Sequence, residues 1–343
     1  MAPSLHFLLF SALKVVIVTV VLLTIVAYTV YVERKVCAFI QDRIGPNRTG
    51  PLGLLQPLAD AVKAFLKEDF VPGHVRRAYF WLAPAIVMIP SLVTIAVIPF
   101  GSVLGREPMV LADLNIGVLF TFAVVSLGVY GIVLAGYAAN SKYPFMGGIR
   151  SSAQVISYEV AMGLSVVPVF LLTGNLNLGA LVEYQSGGLF GWMIFKQPLA
   201  FLIFVVAAFA ETNRLPFDMP EAEQELAGGY NVEYGSIKFA MFFLAEYANM
   251  VAASAMIVTL FLGGWSLPFL GLNQPAATWF AGLIHIGVFL GKMFAVLLVF
   301  IWLRWMLPRF RYDQLMDLGW KRFVPLALAN VALTAIVLWL QAP

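Results

Sequence analysis

The sequence predicts an all-α polytopic membrane protein with about eight transmembrane helices and an amphipathic interfacial helix in its first inner loop. Hydrophobic residues make up 61% of the 343 positions, and charged residues only 11%. Soluble domains have about 25% charged residues, so this chain could not cover its apolar surface in water. The apolar runs are continuous, whereas the strands of a membrane β-barrel alternate. A water-soluble enzyme is therefore excluded.

The transmembrane helices can be placed because a helix needs about 20 largely apolar residues to cross a bilayer. Eight stretches qualify, with tryptophan and tyrosine at several of their edges, as in an aromatic belt. They are Phe7–Val32, Tyr79–Pro99, Leu114–Ala138, Ser152–Thr173, Trp192–Ala210, Phe239–Leu262, Trp279–Leu303 and Phe323–Leu340. The fifth and eighth stretches are the two shortest. We expect a single integral membrane domain over residues 1–343.

Lysine and arginine predict the orientation of these spans. The segments after spans 1, 3, 5 and 7 contain 17 of the 21 basic residues, whereas the opposite side has only Arg106 and Lys196. Short loops rich in Lys and Arg stay on the cytoplasmic side. Both termini are therefore predicted outside, which is periplasmic if the membrane is a bacterial inner membrane, as the many Ala and Gly residues suggest.

The first inner loop, residues 33–78, contains a helical pattern after a basic opening rich in Gly and Pro. At about 100° per residue, the apolar side chains between Leu54 and Leu66 share one face, while Asp60 and Lys63 lie on the other. Such a helix is typical of a membrane surface. It could be a simple anchor, or it could form a mouth through which an amphiphilic, lipid-like substrate enters.

A second inner loop, residues 211–238, is acidic on a side otherwise rich in positive charge. Its carboxylates are Glu211, Asp218, Glu221, Glu223, Glu225 and Glu233. A charge run is usually a solvated loop. However, apolar residues such as Phe217 and Met219 are interleaved, which favours a loop packed against protein. Crowded carboxylates can also exchange protons near neutral pH.

Charged residues inside the predicted spans are the clearest functional signal, because burying an ion in hydrocarbon is costly. Glu159 and Glu246 lie 9 and 8 residues after basic residues that mark the inner face. At about 1.5 Å per residue, both carboxylates lie roughly 12–14 Å into the membrane, and Glu211 ends the intervening span on the same side. The three glutamates should converge, although each could simply be hydrogen-bonded to a neighbouring helix. Lys292, near mid-membrane, is a candidate partner or proton carrier.

Redox and metal-binding capacity is small. The single cysteine, Cys37, cannot hold an iron–sulfur cluster, which needs several thiolates. The three histidines lie far apart and share no ligand spacing. We therefore predict no metal site, and the electron carriers of any redox reaction would belong to other chains.

Six stretches carry motifs specific enough to identify a family. They are ERK at 33–35, DRIGPNRTGPLGLLQPLADAVKAFLKE at 42–68, ISYEVA at 156–161, AETNRLPFDMPEAEQELAGGYNVEY at 210–234, FFLAEYAN at 242–249 and PRFRYDQLM at 308–316. Together they resemble the H-subunit family of proton-pumping NADH:quinone oxidoreductase, respiratory complex I. The resemblance runs in order from the first span to the eighth.

The resemblance implies a protein at the junction of the membrane and hydrophilic arms that forms the wall and entrance of a quinone tunnel. It implies that residues 33–78 form a quinone-entrance loop and that an acidic loop lies beside the tunnel. The implied quinone-binding residues are Arg34, Arg43, Asp60 and Lys63, and the acidic loop contains Asp218, Glu221, Glu223, Glu225 and Glu233.

The resemblance also implies a proton path. Glu159, Glu211 and Glu246 match the glutamates that begin the path towards antiporter-like subunits, and Arg150 and Arg214 match basic residues near them. Some relatives carry a further glutamate in the third span. This sequence has no glutamate there, so a carboxylate relay through that helix is in doubt.

The implied reaction belongs to the assembly, a proton-translocating NADH:quinone oxidoreductase. Quinone is the substrate, either ubiquinone or menaquinone, while FMN and iron–sulfur clusters belong to partner subunits and no cofactor is bound by this chain. The implied partners are the other membrane-arm and hydrophilic-arm subunits and the lipid bilayer, with no nucleic acid. One alternative is the membrane anchor of an energy-converting hydrogenase or formate hydrogenlyase, which the complete ETNRLPFD and PRFRYDQLM blocks disfavour. Another is a stand-alone proton-coupled transporter.

Overall fold

A computed structural model describes residues 5–105, 107–220, 223–268 and 271–341, so Arg106 and Glu221 lie outside the described residues. The chain forms the helices α1 (Leu5–Ile40), α2 (Gln56–Leu66), α3 (Arg77–Val93), α4 (Gly117–Ala138), α5 (Lys142–Thr173), α6 (Leu178–Gln185), α7 (Met193–Lys196), α8 (Pro198–Glu211), α9 (Glu223–Leu226), α10 (Ser236–Phe261), α11 (Trp279–Met306), α12 (Tyr312–Asp317) and α13 (Val324–Gln341). A short antiparallel hairpin pairs β1 (Val103–Leu104) with β2 (Glu107–Pro108). The all-α prediction is confirmed.

Within the described residues, seven helical segments are long and apolar enough to cross a membrane. They are α1, α3 with the 3-10 turn that follows it, α4, α5, α10, α11, and the continuous helix formed by α12, a π-helical turn and α13. The fifth predicted span, Trp192–Ala210, is represented by α8, which has only 14 residues. Proline disfavours helical geometry in the residue before it, so the helix is interrupted at Gln197, between α7 and α8. The prediction of a multi-pass membrane protein is confirmed.

Two helices extend beyond their predicted ends. α1 continues to Ile40, so Glu33 and Arg34 lie on a helix and not in a loop. α5 begins at Lys142, ten residues before the predicted start, and Arg150 lies inside it. Hydropathy marks where a helix becomes polar, but these polar turns stay helical because their charges find partners, Glu33 with Arg214 and Arg150 with Glu225. Pro144 lies in the first turn of α5, where its missing N–H is not needed.

The bundle is packed most tightly around α10. In an apolar stretch of 18 residues within α10, 67% of the residues are buried, whereas the corresponding value for α1 is 11%. α3, α4 and α5 pack closely on one another, since a Cβ at Gly131 would lie 2.4 Å from Val87 and one at Gly136 2.5 Å from the Pro144 carbonyl oxygen. Small residues allow such close approach between membrane helices. α10 is therefore the central helix, and α1 is peripheral.

The two ends of the bundle differ. We call the end that carries α2 and the segment 212–235 the α2 side, and the end that carries β1 and β2 the hairpin side. On the hairpin side, a Cβ at Gly282 would lie 2.6 Å from the Val103 carbonyl oxygen, so glycine lets the hairpin rest on the first turn of α11. α1 and α11 begin on the hairpin side and end on the α2 side, whereas α10 runs in the opposite direction.

Candidate functional site

A buried ion network is centred on Arg214, which follows the end of α8. Its Nη1 donates to Oε2 of Glu33 at 2.5 Å, and its Nε donates to Oε1 of Glu246 at 2.6 Å. Arg304 donates to the other carboxylate oxygen of Glu33. The side chains of Arg214 and Glu33 are only 7% and 5% exposed. The network therefore joins α1, the chain after α8, α10 and α11 with two positive and two negative charges.

Arg214 keeps its charge despite its burial. Burial lowers the pKa of a guanidinium, but Glu246, Tyr247 and Glu33 together outweigh that effect and hold the pKa of Arg214 above its usual range. The guanidinium also lies 4.0 Å from the centroid of the Tyr247 ring, a cation–π contact. Because the charge on Arg214 is permanent, any change of charge nearby must be taken up by the carboxylates.

The three predicted glutamates lie on three neighbouring helices, but their environments differ. Glu159 of α5 accepts a hydrogen bond from the Ser126 hydroxyl of α4. Glu211 lies close enough to Glu159 for their charges to interact. Glu246 is held by Arg214 in the ion network. α4 corresponds to the third predicted span, which has no glutamate in this sequence. It contributes the Ser126 hydroxyl group to Glu159 instead.

Two small cavities meet at Glu211. The larger cavity has a volume of about 30 Å³ and the smaller one about 20 Å³, so each can hold about one water molecule. Asn249 lines both cavities, and Glu246 lines the smaller one. Thr121 and Met162 line the larger one, but Glu159 lines neither. The structure thus joins Glu211 and Glu246 through one polar cavity and leaves Glu159 outside both.

A groove of about 460 Å³ runs between α1, α2 and α10 on the α2 side. Arg34, Asp60 and Lys63 lie on its polar part, and Arg34 Nη1 donates to Asp60 Oδ2 at 2.7 Å. Apolar side chains such as Phe243 form the rest of the wall. Arg43 is exposed beyond the end of α1 and does not line the groove, so it lies apart from the other three, and its contact with quinone stays a prediction.

The groove and the ion network share a wall. Tyr247 lines the groove, and its ring stacks on the Arg214 guanidinium. Tyr247 and Glu246 are consecutive residues of α10, so one side chain lies at the groove while its neighbour binds Arg214. A molecule in the groove would therefore lie one aromatic ring away from the buried charges.

The last turn of α2 is fixed to the first turn of α10. Ser236, at φ 52°, donates from its hydroxyl to the carbonyl oxygens of Ala64 at 3.0 Å and Lys67 at 2.8 Å. Lys238 donates to both carboxylate oxygens of Asp69 at 2.7 Å, and its side chain is only 2% exposed. These contacts, which we call the latch, set the separation of α2 from α10 and hence the width of the groove.

The segment 212–235, which we call the acidic segment, packs against the bundle. Glu225 pairs with Arg150 at 2.7 Å, and Asp218 Oδ2 lies 3.5 Å from Arg309, which also donates to the Asp218 carbonyl oxygen. Glu233 lies 3.6 Å from His74. The interleaved apolar residues are buried, namely Phe217, Met219 and Leu226. Of the remaining predicted carboxylates, Glu223 begins α9 and Glu221 lies outside the described residues.

Residues 13–335 match the family model described as NADH dehydrogenase. The chain belongs to the NADH dehydrogenase family. Among similar proteins, an H subunit of NADH-quinone oxidoreductase from Koribacter versatilis is 49% identical, over 98% of both chains. NADH-quinone oxidoreductase subunit 8 of Rhodothermus marinus is 50% identical, over 93% of this chain and 94% of that protein. The H subunit of NADH-quinone oxidoreductase from Rickettsia typhi is 51% identical, over 96% of this chain and 93% of that protein. The resemblance inferred from the motifs is confirmed.

In this member of the NADH dehydrogenase family, sequence reasoning missed Glu33, Arg304 and Tyr247. The first span is predicted to end at Val32, which places Glu33 in a loop. A helical pattern could have found it, since Val26, Thr29 and Glu33 repeat on one face and all three are buried. From the sequence alone, Arg304 indicates only the orientation of the spans.

Lys292 of this NADH dehydrogenase family member does not join the glutamates. Its ammonium donates to the carbonyl oxygens of Leu262 at 2.7 Å, Gly264 at 3.0 Å and Ser266 at 2.6 Å. Leu262 lies 16 residues after Glu246, about 24 Å along a helix. Carbonyl groups at the end of a helix lack helical partners and attract cations. Lys292 therefore lies apart from the glutamates, and its role as a proton carrier stays a prediction.

Proposed function

We propose that this chain is the membrane subunit of an NADH-quinone oxidoreductase that admits quinone and links its reduction to proton translocation. Family membership and the names of the near full-length relatives support the assignment to this complex. The observation that carries the finer proposal is the contact between Tyr247 and Arg214, because it joins a membrane groove to buried carboxylates.

The groove suits an amphiphilic quinone. Its apolar wall matches an isoprenoid tail, and its polar part offers hydrogen-bond donors and acceptors to a head group. The apolar side chains of α2, such as Leu58 and Phe65, are exposed, as expected of a helix whose apolar face contacts lipid. Arg34, Asp60 and Lys63 would meet the head group as it leaves the membrane, whereas Arg43 would act only farther out.

The ion network would respond to charge at the quinone. Reduction of quinone to quinol consumes two electrons and two protons, and electrons that arrive before protons leave negative charge on the head group. At an effective dielectric constant of about 20, a unit charge about 10 Å away contributes about 1.7 kcal/mol, roughly a tenfold change in a protonation equilibrium. Glu246 and Glu211, joined by a cavity, would take up or release a proton in response, and Glu159 would continue the path beyond Glu211.

The electrons would come from partner subunits that carry FMN and iron–sulfur clusters.

The α2 side would face the cytoplasm of a bacterial inner membrane, with both termini periplasmic, because most basic residues lie on the α2 side. The acidic segment would then face the hydrophilic arm. Arg150 and Arg309 hold two of its carboxylates in position for such a contact.

A photoreactive quinone analogue tests the proposal on the intact membrane complex. We expect labels within residues 33–78 and on the first turns of α10 near Phe239 and Phe243, and we expect excess quinone to prevent them. Labels confined to the hairpin side would contradict the proposed entrance.

A further inference from the structure

A second large cavity, of about 390 Å³, lies on the hairpin side between α1, α10, α11 and the hairpin. Leu13 and Ile17 of α1, and Phe289 and Leu290 of α11, are typical of its apolar lining. The cavity shares no lining residue with the groove beside α2. We call this cavity the crevice.

Two charged side chains of opposite sign line the crevice. Lys14 Nζ lies 3.3 Å from Glu107 Oε2 and 3.4 Å from the Pro108 carbonyl oxygen. The Lys14 side chain is 20% exposed and that of Glu107 is 48% exposed. An ammonium has three donors and a carboxylate has two acceptor oxygens, so both groups can bind a further partner.

The part of the crevice between Lys14 and Ile25 matches one leaflet of a bilayer in length. Along α1 its lining runs from Phe10 to Ile25, and the part from Lys14 to Ile25 is about 16 Å long at 1.5 Å per residue. The hydrocarbon core of a bilayer is about 30 Å thick, so one leaflet accounts for about 15 Å. A lipid whose head group lies at Lys14 would therefore end its acyl chain near Ile25.

The crevice also leaves α1 without much protein contact. A further cavity of about 240 Å³ begins at Ile25 and continues between α1 and α11. Only 11% of the most apolar window of α1 is buried. Even so, the other end of α1 carries Glu33 and Arg34, which must be held at the ion network and the groove.

We propose that the crevice binds one zwitterionic phospholipid with a primary ammonium in its head group. The phosphate pairs with Lys14, the head-group ammonium pairs with Glu107, and one acyl chain lies along α1. Charge complementarity selects this class, because an anionic head group without an ammonium leaves Glu107 facing a second negative charge. The bound lipid fills the gap beside α1 and holds the helix that carries Glu33.

The test uses the intact complex in vesicles that contain phosphatidylethanolamine with a photoreactive diazirine in its acyl chain. We expect labels at the residues of α1 and α11 that line the crevice. Val18→Phe fills the crevice and should lower this labelling at least about threefold. Val15→Phe is the matched control, because Val15 lies on the exposed face of α1 outside the crevice lining. Lys14→Leu should act like Val18→Phe.

A second arm examines the head group without any substitution. The same diazirine chain on phosphatidylglycerol should label the crevice several-fold less than phosphatidylethanolamine. Equal labelling by the two probes would overturn the assignment of a zwitterionic lipid. Equal labelling of the Val18→Phe and Val15→Phe proteins would overturn the site itself. Neither outcome depends on where quinone binds.

Discussion

Arg214 connects the parts of the candidate site, because one guanidinium reaches two carboxylates and an aromatic ring. Its planar fork of five N–H donors can pair with Glu33 and Glu246 in different directions at once. A lysine ammonium is a compact point charge and cannot repeat this geometry. Breaking a buried ion pair leaves a partner charged and unpaired, which typically costs about 3–5 kcal/mol.

Arg214→Lys should lower quinone reductase activity at least about tenfold, while NADH oxidation by an artificial acceptor stays near the wild-type rate. The reason is that lysine cannot hold both carboxylates, whereas the proposed electron carriers lie on other subunits. Arg311→Lys is the control, because Arg311 is 74% exposed and pairs only with Asp313 among the described residues. Equal quinone reductase activity in the two variants would show that a guanidinium group able to bind both carboxylates is not required.

At the scale of the element, α2 forms one wall of the groove, so its position sets the width of the groove. α2 has no buried residue of its own, so little packing fixes it. The latch does so instead, through Ser236 and the buried Lys238–Asp69 pair. Lys238 also lies 3.7 Å from the Trp81 ring centroid, which ties the latch to α3.

Lys238→Ala should change how the enzyme discriminates between quinones with long and short tails. Without the Lys238–Asp69 pair, only the Ser236 hydrogen bonds hold α2 to α10, so α2 moves and the apolar wall that guides a tail is displaced. We expect kcat/KM to fall about threefold or more for a long-tailed quinone and to change little for a short-tailed one. Lys321→Ala is the matched control, because Lys321 forms an exposed pair with Asp317. A Lys238→Ala enzyme with unchanged tail preference would contradict the role of the latch, and quinone labelling in the groove would still stand.

The elements themselves were largely predictable, because long apolar runs determine spans by length alone. Their ends were not. The polar turn from Glu33 to Ile40 stays helical because Glu33 is paired with Arg214, a residue 181 positions away that hydropathy cannot identify. Similarly, α8 is shorter than the apolar run that predicted it, because Gln197 and Pro198 break the helix.

At the scale of the molecule, charge is sorted by side and by depth. The α2 side holds most basic residues together with the acidic segment, and several of these charges neutralise each other across long sequence distances. Glu225 with Arg150 and Lys238 with Asp69 are examples. Depth alone placed Glu159, Glu211 and Glu246 on one side of the membrane. It could not predict which of them share a cavity, since that depends on side-chain packing around Asn249.

Limited proteolysis of the intact complex tests the proposed contact with the hydrophilic arm. Residues 212–235 should resist cleavage in the complex, because Phe217, Met219 and Leu226 are buried in the bundle and the carboxylates would be covered by partner subunits. Removal of the hydrophilic arm should then raise the cleavage rate several-fold. An equal cleavage rate with and without the arm would indicate that this segment has no partner there.

The central claim is that quinone reduction is coupled to protons through the buried glutamates, and Glu246→Gln tests it most directly. Glutamine keeps the shape and hydrogen bonding of glutamate but cannot titrate. In vesicles that contain the complex, quinone reductase activity and proton translocation should fall together, about tenfold or more, with NADH oxidation by an artificial acceptor intact. Glu183→Gln, at an exposed position of α6, should leave all three rates unchanged. Wild-type rates of coupled proton translocation with glutamine at all three of Glu159, Glu211 and Glu246 would contradict the claim.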